Sequence, residues 1–169
     1  MNKLLIILLF PSFIFSQIIN IETKEESNKN ALSGATEIEF DYNKSTETDW
    51  EFINSSYLRW NIDFLTILFI NEIDLNRAGD EDFANDGFQH LRVIYHINDN
   101  FAIESFIQNQ HDLVHNIENR KLAGLGLSKA FSKLGIVGFS TFYEHEELVG
   151  DVINYDFRLN FYNRLVFEI

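Results

Sequence analysis

Two short stretches hold most of the side chains able to move protons or bind a metal: His111, Asp112, His115 and Glu118, then Glu144, His145, Glu146 and Glu147. Imidazole with carboxylate suits a divalent cation or a general acid/base pair. Backbone spacing decides between them. On a helix His111 and His115 share a face, whereas on a strand they stand about 13 Å apart, too far for one ion. The competing account is a pair of solvated acidic loops. Asp80, Glu81, Asp82, Asn85, Asp86 and Gly87 have the composition of a calcium loop, but Ala84 breaks the ligand order and no distal glutamate follows. Gly124 and Gly126 lie in a strand pattern with no following helix, so they are no phosphate loop. No serine sits in an elbow motif or beside a paired His and Asp. None of these groups implies a cofactor.

Composition narrows the field further. The 169 residues carry 13 Lys and Arg against 26 Asp and Glu, a formal charge of −13, which argues against nucleic acid as a partner. Absence of cysteine removes disulfides, thiolate metal sites and a catalytic thiol. A hydrophobic fraction of 46%, with 17 Phe and a single proline, argues against disorder. The length fits one domain.

Positioning elements follow from the pattern. Residues 1–16 read as a secretory signal: Lys3, an apolar run from Leu4 to Phe15, then Ser16 at the exit, with Ile14 where a small residue is usual. The run is too short to cross a membrane as a helix, and no later stretch approaches the necessary ~18 apolar residues. Residues 17–33 read as a polar periplasmic tether and 34–169 as the folded domain.

From Gly34 onward the period is two. Ile38, Phe40 and Tyr42 alternate with Glu37, Glu39 and Asp41. Trp50, Phe52, Leu58 and Trp60 oppose Glu51, Ser55 and Arg59. Leu65, Ile67, Phe69 and Ile73 oppose Thr66, Glu72 and Asp74, with Leu68 and Ile70 blurring the pattern. Leu91, Val93 and Tyr95 oppose His90, Arg92 and His96, and Phe101, Ile103 and Ile107 oppose Glu104, Gln108 and Gln110. Ala123, Leu125 and Leu127 oppose Arg120 and two glycines; Val137, Phe139, Thr141 and Tyr143 oppose Gly138, Ser140 and Glu144. The last full strand sets Ile153, Tyr155, Phe157, Leu159 and Phe161 against Asn154, Asp156, Arg158 and Asn160.

Such strands, about 10–13 residues each, have the length a tilted strand needs to cross a bilayer. Tight turns are expected at 60–62, 97–101, 131–134 and 161–164, alternating with longer links at 44–48, 74–87, 111–119 and 145–151. That alternation is the short-turn, long-loop asymmetry of outer-membrane barrels. Trp60, Phe101, Phe131, Phe161 and Tyr162 near the tight turns are expected to form an interfacial girdle. Arg92, Glu104, Gln108, Arg120, Asp156 and Arg158 are expected to face the lumen as structural ion pairs, with Gly124, Gly126 and Gly138 making room for long side chains such as Arg92 or Arg158.

Four ordered motifs carry a family resemblance: Gly87 to Arg92 (GFQHLR) with Tyr95, Glu104 to Gln110 (ESFIQNQ), Arg120 to Leu127 (RKLAGLGL), and Tyr143 to Glu147 (YEHEE). The chain resembles the salt-induced outer-membrane protein family of Gram-negative bacteria, domain of unknown function number 481, over most of 34–169. The resemblance implies an outer-membrane β-barrel and carries over no catalytic or ligand residue. The partners of such a barrel are outer-membrane lipid and, during biogenesis, the barrel-assembly machinery. Asn109 and His111 depart from the family by standing where it tends to place outward aromatics. Family members also continue further, whereas here 164–169 read as part of a ninth strand, an odd count that favours a C-terminally truncated barrel over one whose last segment pairs with the first strand.

The expected fold is therefore an all-β, antiparallel up-and-down transmembrane barrel of about eight strands. Its expected role is structural, in envelope stress, or as a small-solute channel, without enzymatic activity. Two alternatives stay open: a secreted periplasmic barrel holding an apolar ligand, and a hydrolase or divalent-metal site on the external loops. The first alternative puts Phe157 and Leu159 inside and Arg158 outside.

Overall fold

The structure, a computed structural model, describes residues 30–44, 48–79, 81–131 and 135–165. The expected signal peptide and most of the tether lie outside the described residues. Eight strands follow one another: β1 (Leu32–Lys44), β2 (Thr48–Ile62), β3 (Leu65–Ala78), β4 (Glu81–His96), β5 (Phe101–Asp112), β6 (Ile117–Ala130), β7 (Gly135–Leu148) and β8 (Val152–Leu165), with a 3-10 turn at Leu113–His115. They form one sheet in sequence order, every neighbouring pair antiparallel. The sheet is not closed: β1 and β8 are its two edges. Among the described residues no helix is long and apolar enough to cross a membrane.

The alternation places the strands correctly, but not their ends. β1 begins at Leu32, ahead of the expected Gly34. Strand lengths of 12 to 16 residues exceed the expected range, because the polar ends keep their backbone pairing beyond the apolar stretch. The expected long links shrink accordingly. Residues 74–78 and 81–87 belong to β3 and β4, with Asp74 paired to Asp86. Link 111–119 contracts to the 3-10 turn plus Asn116, and link 145–151 to residues 149–151. Loop length is thus not asymmetric between the two ends, and that expectation is overturned. Strand pairing satisfies backbone donors and acceptors whatever the side chains, so a polar run alone does not make a loop. Among the described residues, four reversals carry positive φ: Asp63 (45°) after β2, Gly79 (61°) after β3, Asn116 (61°) after β5, and Gly150 (95°) with Asp151 (62°) after β7. The one after β4 is held instead by the Asn98 side chain, which accepts from the Asn100 and Phe101 N–H groups.

A second correction concerns 161–164. These residues are not a turn but the last part of β8, paired with Gly135 to Phe139 of β7. Arg164 and Leu165 therefore extend the eighth strand, and the remainder of the expected ninth, 166–169, lies outside the described residues. Among the described residues the strand count is eight. With eight strands, β1 and β8 run in opposite directions.

The two faces differ sharply. On the outer face Phe157 and Leu159 are 71% and 67% exposed, and Ile107, Leu125, Leu127, Phe139 and Tyr143 are exposed with them. On the inner face lie His90, Arg92, Glu104, Gln108, Ser140 and Glu144, all buried. Two small apolar clusters share that face: Leu68, Ile70 and Phe88 with Tyr57, and Phe106, Leu122 and Phe142. Leu68 and Ile70, which blur the alternation of β3, do so because they are inner-face residues packed in the first cluster.

Candidate functional site

The inner face holds the chain's main polar constellation. Arg92 on β4 lies 3.8 Å from Glu104 on β5, and Tyr162 on β8 donates its hydroxyl to the same carboxylate at 2.6 Å. Glu144, 1% exposed, receives Arg120 on one oxygen and stands 2.6 Å from Arg158 on the other. Glu146 lies 3.8 Å from Arg120, and Asp156 lies 3.5 Å from Arg158. His90 and Gln108 are 3.2 Å apart. His90 also stacks between Phe88 and Phe106, at 6.0 and 5.7 Å.

All six residues expected on the polar face therefore stand on one face, five of them in two ion-paired groups and Gln108 beside His90. Arg92, Glu104 and Gln108 are buried, Arg120 nearly so, whereas Arg158 is half-buried and Asp156 is exposed towards the β8 edge. Sequence reasoning missed Tyr162, assigned to a girdle, and put Glu144 both on the polar face of the seventh strand and in the rim cluster, without naming it among the lumen residues. The signal for Glu144 was parity: it continues the Gly138, Ser140, Phe142 set of β7. Buried unpaired charge costs several kcal/mol, so pairing is what allows four arginine and glutamate side chains to share this interior.

The glycines make room, but not for arginine. A Cβ on Gly124 would collide with the Phe106 ring and with Phe142, and one on Gly138 would collide with the Tyr162 ring. Tyr162 lies flat across Gly138 and so reaches Glu104, which belongs to β5, three strands away.

At the rim the expected histidine and carboxylate cluster does not assemble. His115 binds Asp112 at 2.8 Å within one turn, and Asp112 also caps that turn. The His111 ring meets the carbonyl of Glu118. On β7, Glu144 and Glu146 go to the arginines, while His145 stacks on Tyr155 at 4.9 Å on the outer face. Among the described residues no set of three metal-binding side chains converges. Glu81 to Gly87 are extended strand rather than a calcium loop.

A shallow cleft of about 360 Å³ opens at this rim, lined by Glu72, Asp74, Asp86 and Asp112 among others. Asp74 faces Asp86, and Asp86 faces Asp112, across adjacent strands. One oxygen each of Asp74 and Asp86 is buried without a hydrogen bond. Asp86 lies beyond the apolar face, and its partial burial together with the Asp112 and Asp74 charges raises its pKa above the ordinary carboxylate value.

The outer face carries one interruption. Thr36, Ser56, Asn71, Gln89, Asn109, Lys121 and His145 occupy a single register row across seven strands. Side-chain hydrogen bonds join its first five members, with Asn54 as a bridge: Asn71 to Asn54 at 2.8 Å, Gln89 to Asn71 at 3.4 Å and Asn109 to Gln89 at 3.2 Å. Asn109, the departure from the resembled family, is a member of this row.

No family model, no curated protein and no solved structure matches the chain.

Proposed function

We propose that the chain is a non-enzymatic outer-membrane β-barrel, closed by pairing β8 with β1, with an interior occupied by structural ion pairs. The observation that carries this reading is the inversion of the two faces. Phe157 and Leu159 point outward while their neighbour Arg158 points inward onto Glu144. A water-soluble barrel needs the reverse, and a periplasmic carrier of apolar ligands needs Phe157 and Leu159 inside.

Dimensions on β6 support the same reading. Lys121 and Lys129 bracket Ala123, Leu125 and Leu127 on the outer face. At about 3.4 Å per residue their separation is about 27 Å along the strand, or about 20 Å along the membrane normal at a tilt of about 40°. That is close to the apolar band of about 25 Å on outer-membrane barrels, with lysines positioned to snorkel at both borders.

Closure uses edges that already run antiparallel, and eight strands suffice for a small barrel whose interior side chains fill the lumen. The ion-paired, aromatic-packed inner face favours a structural plug over an open pore. The resemblance to the salt-induced outer-membrane family points the same way and adds no substrate. The test is electrophoresis of the membrane fraction with and without boiling. A heat-dependent mobility shift is the expected result, and protein recovered from the soluble periplasm would overturn the proposal.

A further inference from the structure

At the end of the sheet where β5 begins and β6 ends, Lys129 stands on the outer face between two rings. Its ammonium lies 5.1 Å from the Phe101 centroid and 5.0 Å from that of Phe131. Beside it opens a cleft of about 210 Å³ lined by Leu127, Val137, Phe139 and Phe161. Leu127, Phe139 and Phe161 share one register row, one outward step from Lys129 towards the middle of the strands. A step of two residues is about 7 Å, so the ammonium sits at the mouth and the apolar floor runs away from it.

Charge makes the position distinctive. The chain carries −13 overall, and its arginine ion pairs are made on the inner face. Lys129 has no carboxylate partner among the described residues; Asp99, in the neighbouring turn, does not pair with it. The two rings hold the cation in place by attraction to their faces, and the ammonium keeps its hydrogens for an oxygen acceptor. An unpaired cation at the mouth of an apolar cleft is complementary to a molecule with an anionic head and a hydrocarbon tail.

We propose that Lys129, held between Phe101 and Phe131, binds the phosphate of an anionic phospholipid, whose acyl chain lies over Leu127, Phe139 and Phe161. This rests on the membrane reading above, and the experiment separates the two. The full chain is folded into vesicles of phosphatidylcholine, alone or mixed with phosphatidylglycerol. It is then extracted gently, and the retained lipid is identified by native mass spectrometry. The expected result is retention of phosphatidylglycerol over phosphatidylcholine by about fivefold, the factor for one lysine at an anionic lipid surface. Lys129→Gln loses that preference and Lys129→Arg keeps it, both with the heat-dependent mobility shift intact.

Insertion into both vesicles without lipid preference overturns the site and leaves the barrel standing; so does a preference that survives Lys129→Gln. Failure to enter either vesicle overturns the membrane reading itself and the site with it. A wild-type chain without the preference overturns the site whether or not a variant folds.

Discussion

Replacing Leu125 by arginine distinguishes an outer face in lipid from an outer face in water. Leu125 is 62% exposed and sits midway between Lys121 and Lys129 on β6, opposite Ser105 and Thr141. If that face meets water, Leu125→Arg removes little burial and adds a solvated charge. A surface change of this kind falls within about 0.5 kcal/mol of neutral. If the face meets lipid, Leu125 lies at the midplane, where arginine on a barrel exterior costs about 2–4 kcal/mol. The two accounts differ by a factor of roughly thirty to several hundred in the unfolding equilibrium, at 1.4 kcal/mol per tenfold.

The assay is urea unfolding of the chain in phosphatidylcholine vesicles, followed by the fluorescence of Trp50 and Trp60 and checked by gel mobility. Ala123→Arg, closer to Lys121, supplies the depth control with a cost below that of Leu125→Arg, because the penalty falls towards the interface. A destabilisation of about 2 kcal/mol or more, graded in that order, is expected. A Leu125→Arg protein that folds in vesicles within about 0.5 kcal/mol of the wild type refutes the reasoning.

Three further outcomes follow from the inner face and the rim. Glu144→Ala strips Arg120 and Arg158 of their shared carboxylate, and removing one partner of a buried pair costs about 3–5 kcal/mol; Glu146 and Asp156 at 3.8 and 3.5 Å hold the loss to the lower end, read as a fall in urea midpoint. Gly138→Ala forces the Tyr162 ring off its seat and with it the bond to Glu104, an overpacking cost of about 1–3 kcal/mol in the same assay; an unchanged midpoint would show that Tyr162 does not lie across that glycine. The raised carboxyl of Asp86 favours the folded state in acid, and that contribution is lost as pH rises through its folded value. Asp86→Asn is therefore more stable than the wild type at neutral pH, by about 0.2–1 kcal/mol for relief of opposed charges. The difference vanishes near pH 3, below the ordinary carboxylate range. A gap that persists in acid would place its origin elsewhere.

Much of the architecture was legible because the period of two survives any environment. Strand existence, order and the shared face of Arg92, Glu104, Arg120, Asp156 and Arg158 follow from parity; which of them pair does not, because that depends on register. Strand ends were not legible. In 74–87 the charged residues read as a loop, yet Asp74 and Asp86 continue the ladder, since backbone pairing is indifferent to side-chain polarity. Phe161 to Arg164 read as a turn although Phe161 and Tyr162 continue the alternation of β8, and the structure pairs all four residues with Ile136 to Phe139. The occupants of the glycine gaps were also misread. Phe106 and Tyr162 are the register partners directly opposite Gly124 and Gly138 on the adjoining strands, so the occupants follow from the pairing register, which the alternation alone does not fix.

The polar row on the outer face is the feature that most needs reconciling with lipid, and strand tilt reconciles most of it. A register row runs at right angles to the strands, so in a barrel tilted by about 40° it climbs by about 3 Å per strand relative to the membrane plane. An apolar belt parallel to the membrane must then shift steadily against that row. On β5, β6 and β7 the apolar side chains lie on the side of Asn109, Lys121 and His145 that faces Phe101 and Phe131. On β2 and β3 they continue past it, with Phe52 and Trp50 beyond Ser56, and Ile73 and Leu75 beyond Asn71. On β1 Ile38, Phe40 and Tyr42 lie almost wholly beyond Thr36. The shift has the steady sense that tilt requires, with Ile153 on β8 as its exception. It also explains where the row is hydrogen-bonded side chain to side chain. Those bonds join Thr36, Ser56, Asn54, Asn71, Gln89 and Asn109, and so satisfy the polar groups of β2 and β3, which apolar side chains flank on both sides and where an unsatisfied amide in lipid would cost most. In the proposed barrel Lys121 and His145 would stand at the belt's border, within reach of water and headgroups.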